Sequence, residues 1–337
     1  MKHLCVAIRT STVLHTSGGK TVGAGIGGEV PGIRGSAWAE PTPYGMVLVS
    51  RGSIEMGPAE NDSLWDIAAI AKGVSVDNFW MDETEVTNAK YRQFVYWVRD
   101  SIIRERLADP AYGGDETFKI TEDKYGEPIK PYLNWNKAIP TRNLLEEEER
   151  AINSVTYVHP ITGHRHIDPA QMNFIYEWFD HTEAAKRGNR LNPEDRILNT
   201  DLTGNSIRPV TISKDTAYIN EEGKPVNETI VRPLTSLFDF LHTKIVNIYP
   251  DTTVWVNDFN NSYNEPYMRM YFSHPGYSDY PVVGVSWEQA TAFCEWRTKF
   301  FRMGQDKNSR PIENFHLPTE GEFEFAARNG RSENKYP

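Results

Sequence analysis

The sequence predicts an α+β fold of short strands, few helices and long connections. Three observations carry this. Strand-like runs between residues 46 and 82 precede one strongly periodic helix. Two further helices near the far end each open on a capping signature. Between these blocks lies a long acidic segment with no repeat at a fixed period.

The elements follow in order. Residues 46–57, Met-Val-Leu-Val-Ser-Arg-Gly-Ser-Ile-Glu-Met-Gly, read as two short strands around Arg51-Gly52. Residues 74–82 (Val74, Val76, then Phe79-Trp80-Met81) read as one further strand. Thr87 is a plausible helix cap. Tyr91, Phe94, Val95, Val98 and Ile102 then share one helical face, in a helix reaching about Leu107. Pro281 to Val285 reads as a short buried strand. Ser286-Trp-Glu-Gln289 is a capping box opening a helix with Ala290, Phe293, Cys294 and Phe301, which Gly304 can end. Thr319-Glu-Gly-Glu322 is a second capping box, followed by Phe323, Phe325 and Ala326, with Gly330 as the stop.

The middle segment, 99–279, holds 20 Lys+Arg and 28 Asp+Glu, a net of −8. Helices are expected at about 142–152 and 168–187, the second with Asp168 as cap, Pro169 in its first turn and Gly188 as stop. Strand-like runs lie near 209–219 and 244–259, with Tyr249-Pro250-Asp251 as a turn. Domain boundaries are expected as a flexible Gly-rich lead-in (1–40), a first domain part (41–98), an acidic mixed insertion (99–279) and a continuation of the first domain (280–337).

Composition narrows the function. A net charge of −10 would repel phosphate, so no nucleic-acid partner is expected. No run of about 20 apolar residues exists to span a bilayer as a helix. Nine Trp, sixteen Tyr and fifteen Phe supply a core and argue against wholesale disorder. The two cysteines, Cys5 and Cys294, exclude a disulfide-stapled scaffold and any cysteine-rich zinc or iron–sulfur site. The apolar patch Leu4 to Ile8 is too short for a signal-peptide core, and Lys2-His3-Leu4 before Cys5 is not the usual lipobox, so this start encodes no convincing export signal.

Four segments resemble a known family. Gly45 to Gly57 and Phe79-Trp-Met-Asp-Glu-Thr-Glu-Val-Thr-Asn-Ala-Lys-Tyr-Arg-Gln-Phe94 look like the opening of the formylglycine-generating enzyme (sulfatase-modifying factor) domain. Pro281-Val-Val-Gly-Val-Ser-Trp-Glu-Gln-Ala-Thr-Ala-Phe-Cys-Glu-Trp296 and Leu317-Pro-Thr-Glu-Gly-Glu-Phe-Glu-Phe-Ala-Ala-Arg328 look like its middle. The resemblance implies a C-type-lectin-like α+β fold. Within the family, Phe94 to Ile102, Tyr263-Asn-Glu-Pro266, Asp279 to Val283 and Trp38 to Met46 are similar to the GldK/PorK-type gliding-motility lipoproteins of the Bacteroidetes type IX secretion system. That subgroup implies an outer-membrane lipoprotein facing the periplasm. It would form a homo-oligomeric ring with a GldN/PorN-type partner and be held to the outer membrane by a lipid anchor, if its native N-terminus carries one.

Catalytic members of the family hold copper and activate oxygen with a late pair of cysteines. Soft thiolates suit Cu(I). Here Cys294 sits on the apolar face of an expected helix and reads as a small core hydrophobe. Beyond Lys335-Tyr-Pro337 the family normally continues with calcium-binding loops and the catalytic pair, so a truncated domain is expected. No catalytic, cofactor-binding or metal residue is therefore assigned, and no cofactor is expected. The expectation is a non-catalytic ring subunit. The alternatives are a fragment of a copper- and oxygen-dependent formylglycine-type oxidase, or a lectin-like scaffold displaying ligand-binding loops.

The remaining signals are weak. His164-Arg-His166 with Asp168 could suggest a metal, but solvated loop residues are the simpler reading. Glu146 to Glu149 reads as a solvated helix face. Phe174, Tyr176, Trp178 and Phe179 on an expected helix read as the core of the insertion, with a partner face as the alternative. Asp62-Ser-Leu, Asp100-Ser-Ile, Asp215-Thr-Ala and Asp251-Thr-Thr match a short glycosylation pattern that also arises by chance. No phosphate loop ending in Lys-Ser/Thr is present, and Gly18 to Gly28 lacks a strand–helix setting.

Overall fold

The computed structural model describes residues 5–9, 42–57, 71–160, 163–191, 198–200, 206–220, 224–257, 263–305 and 313–331. Strands β1 (Ala7–Arg9), β2 (Met46–Val49), β3 (Gly52–Met56), β4 (Lys72–Val76) and β5 (Phe79–Asp82) precede helix α1 (Asn88–Leu107). Then come β6 (Lys119–Glu122), β7 (Pro128–Leu133), helix α2 (Glu146–Asn153), β8 (Thr156–Val158), β9 (Arg165–Ile167), β10 (Asn173–Phe179) and the short α3 (His181–Ala185). Strands β11 (Leu198–Thr200), β12 (Ser206–Pro209), β13 (Thr211–Ile219), β14 (Pro225–Pro233) and β15 (Leu241–Asn247) follow. Helices α4 (Val254–Asn257), α5 (Glu265–Met270), α6 (Trp287–Met303) and α7 (Glu320–Ala327) complete the described chain. This is an α+β content. The chain forms two compact units: Met1–Asn88 with Val254–Gly284 and Phe293–Pro337, and Ala89–Thr253 with Val285–Ala292.

The first unit is built on an antiparallel sheet in the order β1-β5-β2, beside the β3–β4 hairpin. Ala7, Ile54, Val76, Phe79 and Phe325 form its core, with α7 supplying Phe325. Two glycines make room for that ring. A Cβ on Gly52 would lie 2.7 Å from the Phe325 ring, and one on Gly330 3.2 Å from it. Gly330, at φ +67°, also ends α7 by donating its N–H to the Phe325 carbonyl at 2.8 Å. Thr319 caps α7: its hydroxyl accepts from the Glu322 N–H at 3.3 Å, and the Glu322 carboxylate accepts from the Thr319 N–H at 2.8 Å. In the same unit the buried Asn88 side chain donates to the Tyr271 and Tyr277 carbonyls at 3.3 and 2.9 Å. Trp255, Tyr267, Tyr271 and Tyr277 cluster there in tilted and edge-on contacts, with centroids of contacting rings 4.8–6.0 Å apart.

Among the described residues of the second unit the antiparallel strand pairs are β6–β7, β8–β9, β11–β12, β13–β14 and β10–β15. In α1, Tyr91, Phe94, Val95 and Val98 are buried as the periodicity requires, though Ile103 is buried in place of Ile102. Phe94 meets Phe174 edge-on at 5.1 Å, and the buried Tyr91 hydroxyl donates to the Ile248 carbonyl at 2.9 Å. Arg104 is 6% exposed, lies 4.6 Å from the Trp135 ring, and donates to the carbonyls of Asp100, Asn134 and Lys137. Side chains tie β15 to the neighbouring ribbon. Asn227 exchanges two 2.9 Å bonds with the Ile245 backbone, and the His242 ring accepts from the Asp215 N–H at 3.0 Å. The Ser286–Gln289 box forms with bonds of 2.8 and 3.2 Å.

The structure corrects several expectations. Residues 168–187 are not a helix: Pro169–Gln171 makes only a 3-10 turn, and Asn173–Phe179 is strand β10. Phe174 and Tyr176 point inward while Ile175 and Glu177 are exposed, a period of two that aromatic residues favour. The 74–82 run is two strands broken at Asp77-Asn78, where the Asn78 side chain accepts from the Arg51 N–H. Pro281–Val285 makes a single bridge, Thr87 to Pro281, because Gly284 turns away at φ +80°. The 244–259 run leaves extended structure after Asn247 and becomes helical at Val254–Asn257, and the first middle helix starts at Glu146 rather than 142. Within the expected flexible lead-in, Val6, Ala7 and Ile8 are fully buried around β1. Residues 10–41, and with them the Gly18–Gly28 run, lie outside the described residues, as does Asp62.

Candidate functional site

A cleft in the first unit has a volume of about 730 Å³. Apolar walls come from Val47 and Leu48 of β2 and from Phe323 and Phe325 of α7, with Glu83 and Glu85 at the rim after β5 and Cys5 just before β1. Val47, Leu48 and Phe323 are 46%, 49% and 49% exposed, so the cleft presents apolar surface to solvent.

Beside it lies a buried ion pair. Asp82, the last residue of β5, has a side chain 0% exposed. Both its oxygens accept from the Arg297 guanidinium of α6, at 2.7 and 2.9 Å. Arg297 also lies 4.5 Å from the Phe315 ring centre. This planar fork ties a sheet strand to a helix.

Neither thiol is prepared for chemistry. Cys294 is 2% exposed, and burial pushes its thiol far above the usual range, outweighing the favourable charge of Arg297. The half-buried Cys5 is raised by burial first, then by Glu85 and Asp82. A nucleophilic or metal-binding cysteine needs the opposite surroundings, with cations or a base that favour the thiolate. The copper implied by the family resemblance needs two thiolates within reach of one ion. The cysteines here do not fit: Cys294 faces the core of α6, Cys5 lines a cleft rimmed by carboxylates, and both sulfurs are held protonated.

The other residues singled out from the sequence separate. His166 lies on β9, opposite Tyr157 and 5.8 Å from its ring, and His159, not anticipated, is 5.7 Å away. Asp168 is occupied as a cap, accepting from the Ala170 N–H at 3.0 Å. Among the described residues no group of three His, Cys, Asp or Glu side chains could hold a metal ion. Glu146 to Glu149 form the first turn of α2, with Glu148 accepting from the Leu145 N–H. Asp100, Asp215 and Asp251 lie in α1, in β13 and at a turn. Sequence reasoning missed Asp82–Arg297, whose partners are 215 residues apart. No described helix is long and apolar enough to cross a membrane.

Comparison with known proteins places this geometry. Residues 36–163 and 199–337 match the sulfatase-modifying factor enzyme 1-like domain. The chain belongs to this family. Over 59 residues (18% of this chain, 14% of the relative) it is 42% identical to the Bos taurus protein named inactive C-alpha-formylglycine-generating enzyme 2. Over 63 residues (19% of this chain, 8% of the relative) it is 38% identical to the serine/threonine-protein kinase pkn1 of Chlamydia pneumoniae. The chain therefore spans only a small part of either curated relative. No solved structure matches it.

Proposed function

We propose that this chain is a non-catalytic structural member of the family. On this reading it is a ring subunit of the type IX protein secretion and gliding machinery. It assembles with copies of itself and with a GldN/PorN-type partner at the periplasmic face of the outer membrane, held there by a lipid anchor if its native N-terminus carries one. The thiols of this chain fit the non-catalytic part: Cys294 of α6 is buried and Cys5 lines a cleft with Glu83 and Glu85, so neither favours a thiolate. The word "inactive" in the bovine relative's name supports the same direction. The subgroup assignment is supported by the segments Phe94 to Ile102, Tyr263 to Pro266 and Asp279 to Val283.

The test supplies the purified protein with copper, oxygen and a cysteine-containing peptide, and measures its mass in solution. The proposal expects no oxidised peptide and a mass of several copies. Conversion of the peptide cysteine to an aldehyde would overturn it in favour of the oxidase reading.

A further inference from the structure

We propose that a cleft in the second unit is a socket for another copy of this chain, and that the plug is the acidic turn Leu145–Glu149. The inference rests on the assembly reading above and names the surfaces that carry it.

The socket has a volume of about 500 Å³. Its floor is apolar: Leu234 and Phe240 belong to a buried cluster, and Ala184 and Leu191 pack against it. Its rim is cationic, with Lys186, Arg187 and Arg190 falling within five residues. Lys186 is paired with Glu183. Arg187 and Arg190 are exposed and have no acidic partner among the described residues. In a segment whose net charge is −8, this local excess of positive charge favours an anionic visitor. Leu237 and Phe238, 71% and 77% exposed, follow directly on this wall.

The wall itself is fixed. The Asp239 carboxylate accepts from the Thr235 and Ser236 N–H groups at 2.8 and 2.9 Å and from the Thr235 hydroxyl at 3.0 Å, and pairs with Arg232 at 3.2 Å. A preformed socket loses little conformational entropy on binding.

The plug has matching chemistry. Leu145 is 66% exposed and stands immediately before four glutamates. Glu147 and Glu148 are engaged within α2, by Arg150 and by the Leu145 N–H. Glu146 and Glu149 remain exposed. A leucine beside two available carboxylates complements an apolar floor beside two available guanidiniums. The buried Ala151 and Ile152 hold the helix that presents this turn. Where one copy's plug fills the next copy's socket without the reciprocal contact, the arrangement is head-to-tail, and repeating it gives a closed ring or a filament.

The test measures the mass of the full chain over a concentration series at low and high salt. Variants are Arg187→Glu/Arg190→Glu, Glu146→Lys/Glu149→Lys, and the four changes combined; all four positions are exposed, so each variant should fold. The expected result is self-association weakened roughly tenfold or more in each double variant and recovered in the combined charge swap. Salt should weaken the wild type as well. Assembly unchanged by Arg187→Glu/Arg190→Glu would overturn the socket while leaving the assembly reading intact. Loss in both double variants without recovery in the swap would overturn the pairing. A wild-type chain monomeric at every concentration would overturn both the socket and self-assembly.

Discussion

Replacing Arg297 by Met tests the packing account most sharply. The change keeps much of the aliphatic stem but strips Asp82 of both hydrogen bonds, at a carboxylate whose side chain is 0% exposed. Leaving one member of a buried pair unpartnered costs about 3–5 kcal/mol. Loss of the guanidinium over the Phe315 ring adds about 0.5–1 kcal/mol. With a urea dependence of about 2 kcal/mol per molar, the unfolding midpoint should fall by about 2 M. Tryptophan fluorescence reads this, since the chain holds nine tryptophans. Asp82→Asn should also destabilise, and the double variant should cost clearly less than the two singles together, because it leaves no buried charge alone. A midpoint shift below about 0.5 M for Arg297→Met, or strict additivity, would refute the claim that this pair anchors the first unit.

Three further outcomes follow from the same structure. Tyr91→Phe removes a buried hydroxyl and leaves the Ile248 carbonyl unpaired, so it should cost about 1–3 kcal/mol in urea unfolding; no measurable loss would show that water replaces the bond. Gly52→Ala drives a methyl group into the Phe325 ring and should cost about 1–3 kcal/mol, whereas an unchanged midpoint would mean that α7 shifts freely. The thiols set a pH dependence: both are raised in the folded state, so the unfolded chain ionises first, and stability should decline as pH rises above about 8.5. A Cys5→Ser/Cys294→Ala variant should lose the part of that decline below about pH 10, above which the buried Tyr91 and the raised Tyr249 and Tyr271 sustain it, and rapid alkylation of native Cys294 at neutral pH would contradict its burial.

How much of this was legible depends on how local each signal is. Both capping boxes and the α7 stop are written within a few residues and form as read, and the α1 stripe does so up to Val98. The α+β class followed from them. The middle segment misled where two periods compete: Asp168-Pro169 signals a helix start, but Phe-x-Tyr-x-Trp carries the strand period, and pairing with β15 decides the outcome. Turns set by a single residue, such as Gly284 and Asn78, ended extended runs that composition alone prolonged. The site features were less legible still. Asp82 and Arg297 meet only through the tertiary fold, and Lys186, Arg187 and Arg190 border a cleft only once the chain is folded. The burial of Cys294 was legible because its position on an apolar helical face is a local property.

The most direct test of the central claim is the mass and composition of the particle that holds this chain in its native cell, isolated without reducing agent. Action by assembly predicts a large particle with many copies of this chain and a second protein in fixed ratio, and Cys294 recovered as a free thiol. A single-copy protein that carries copper and oxidises a cysteine peptide would contradict it.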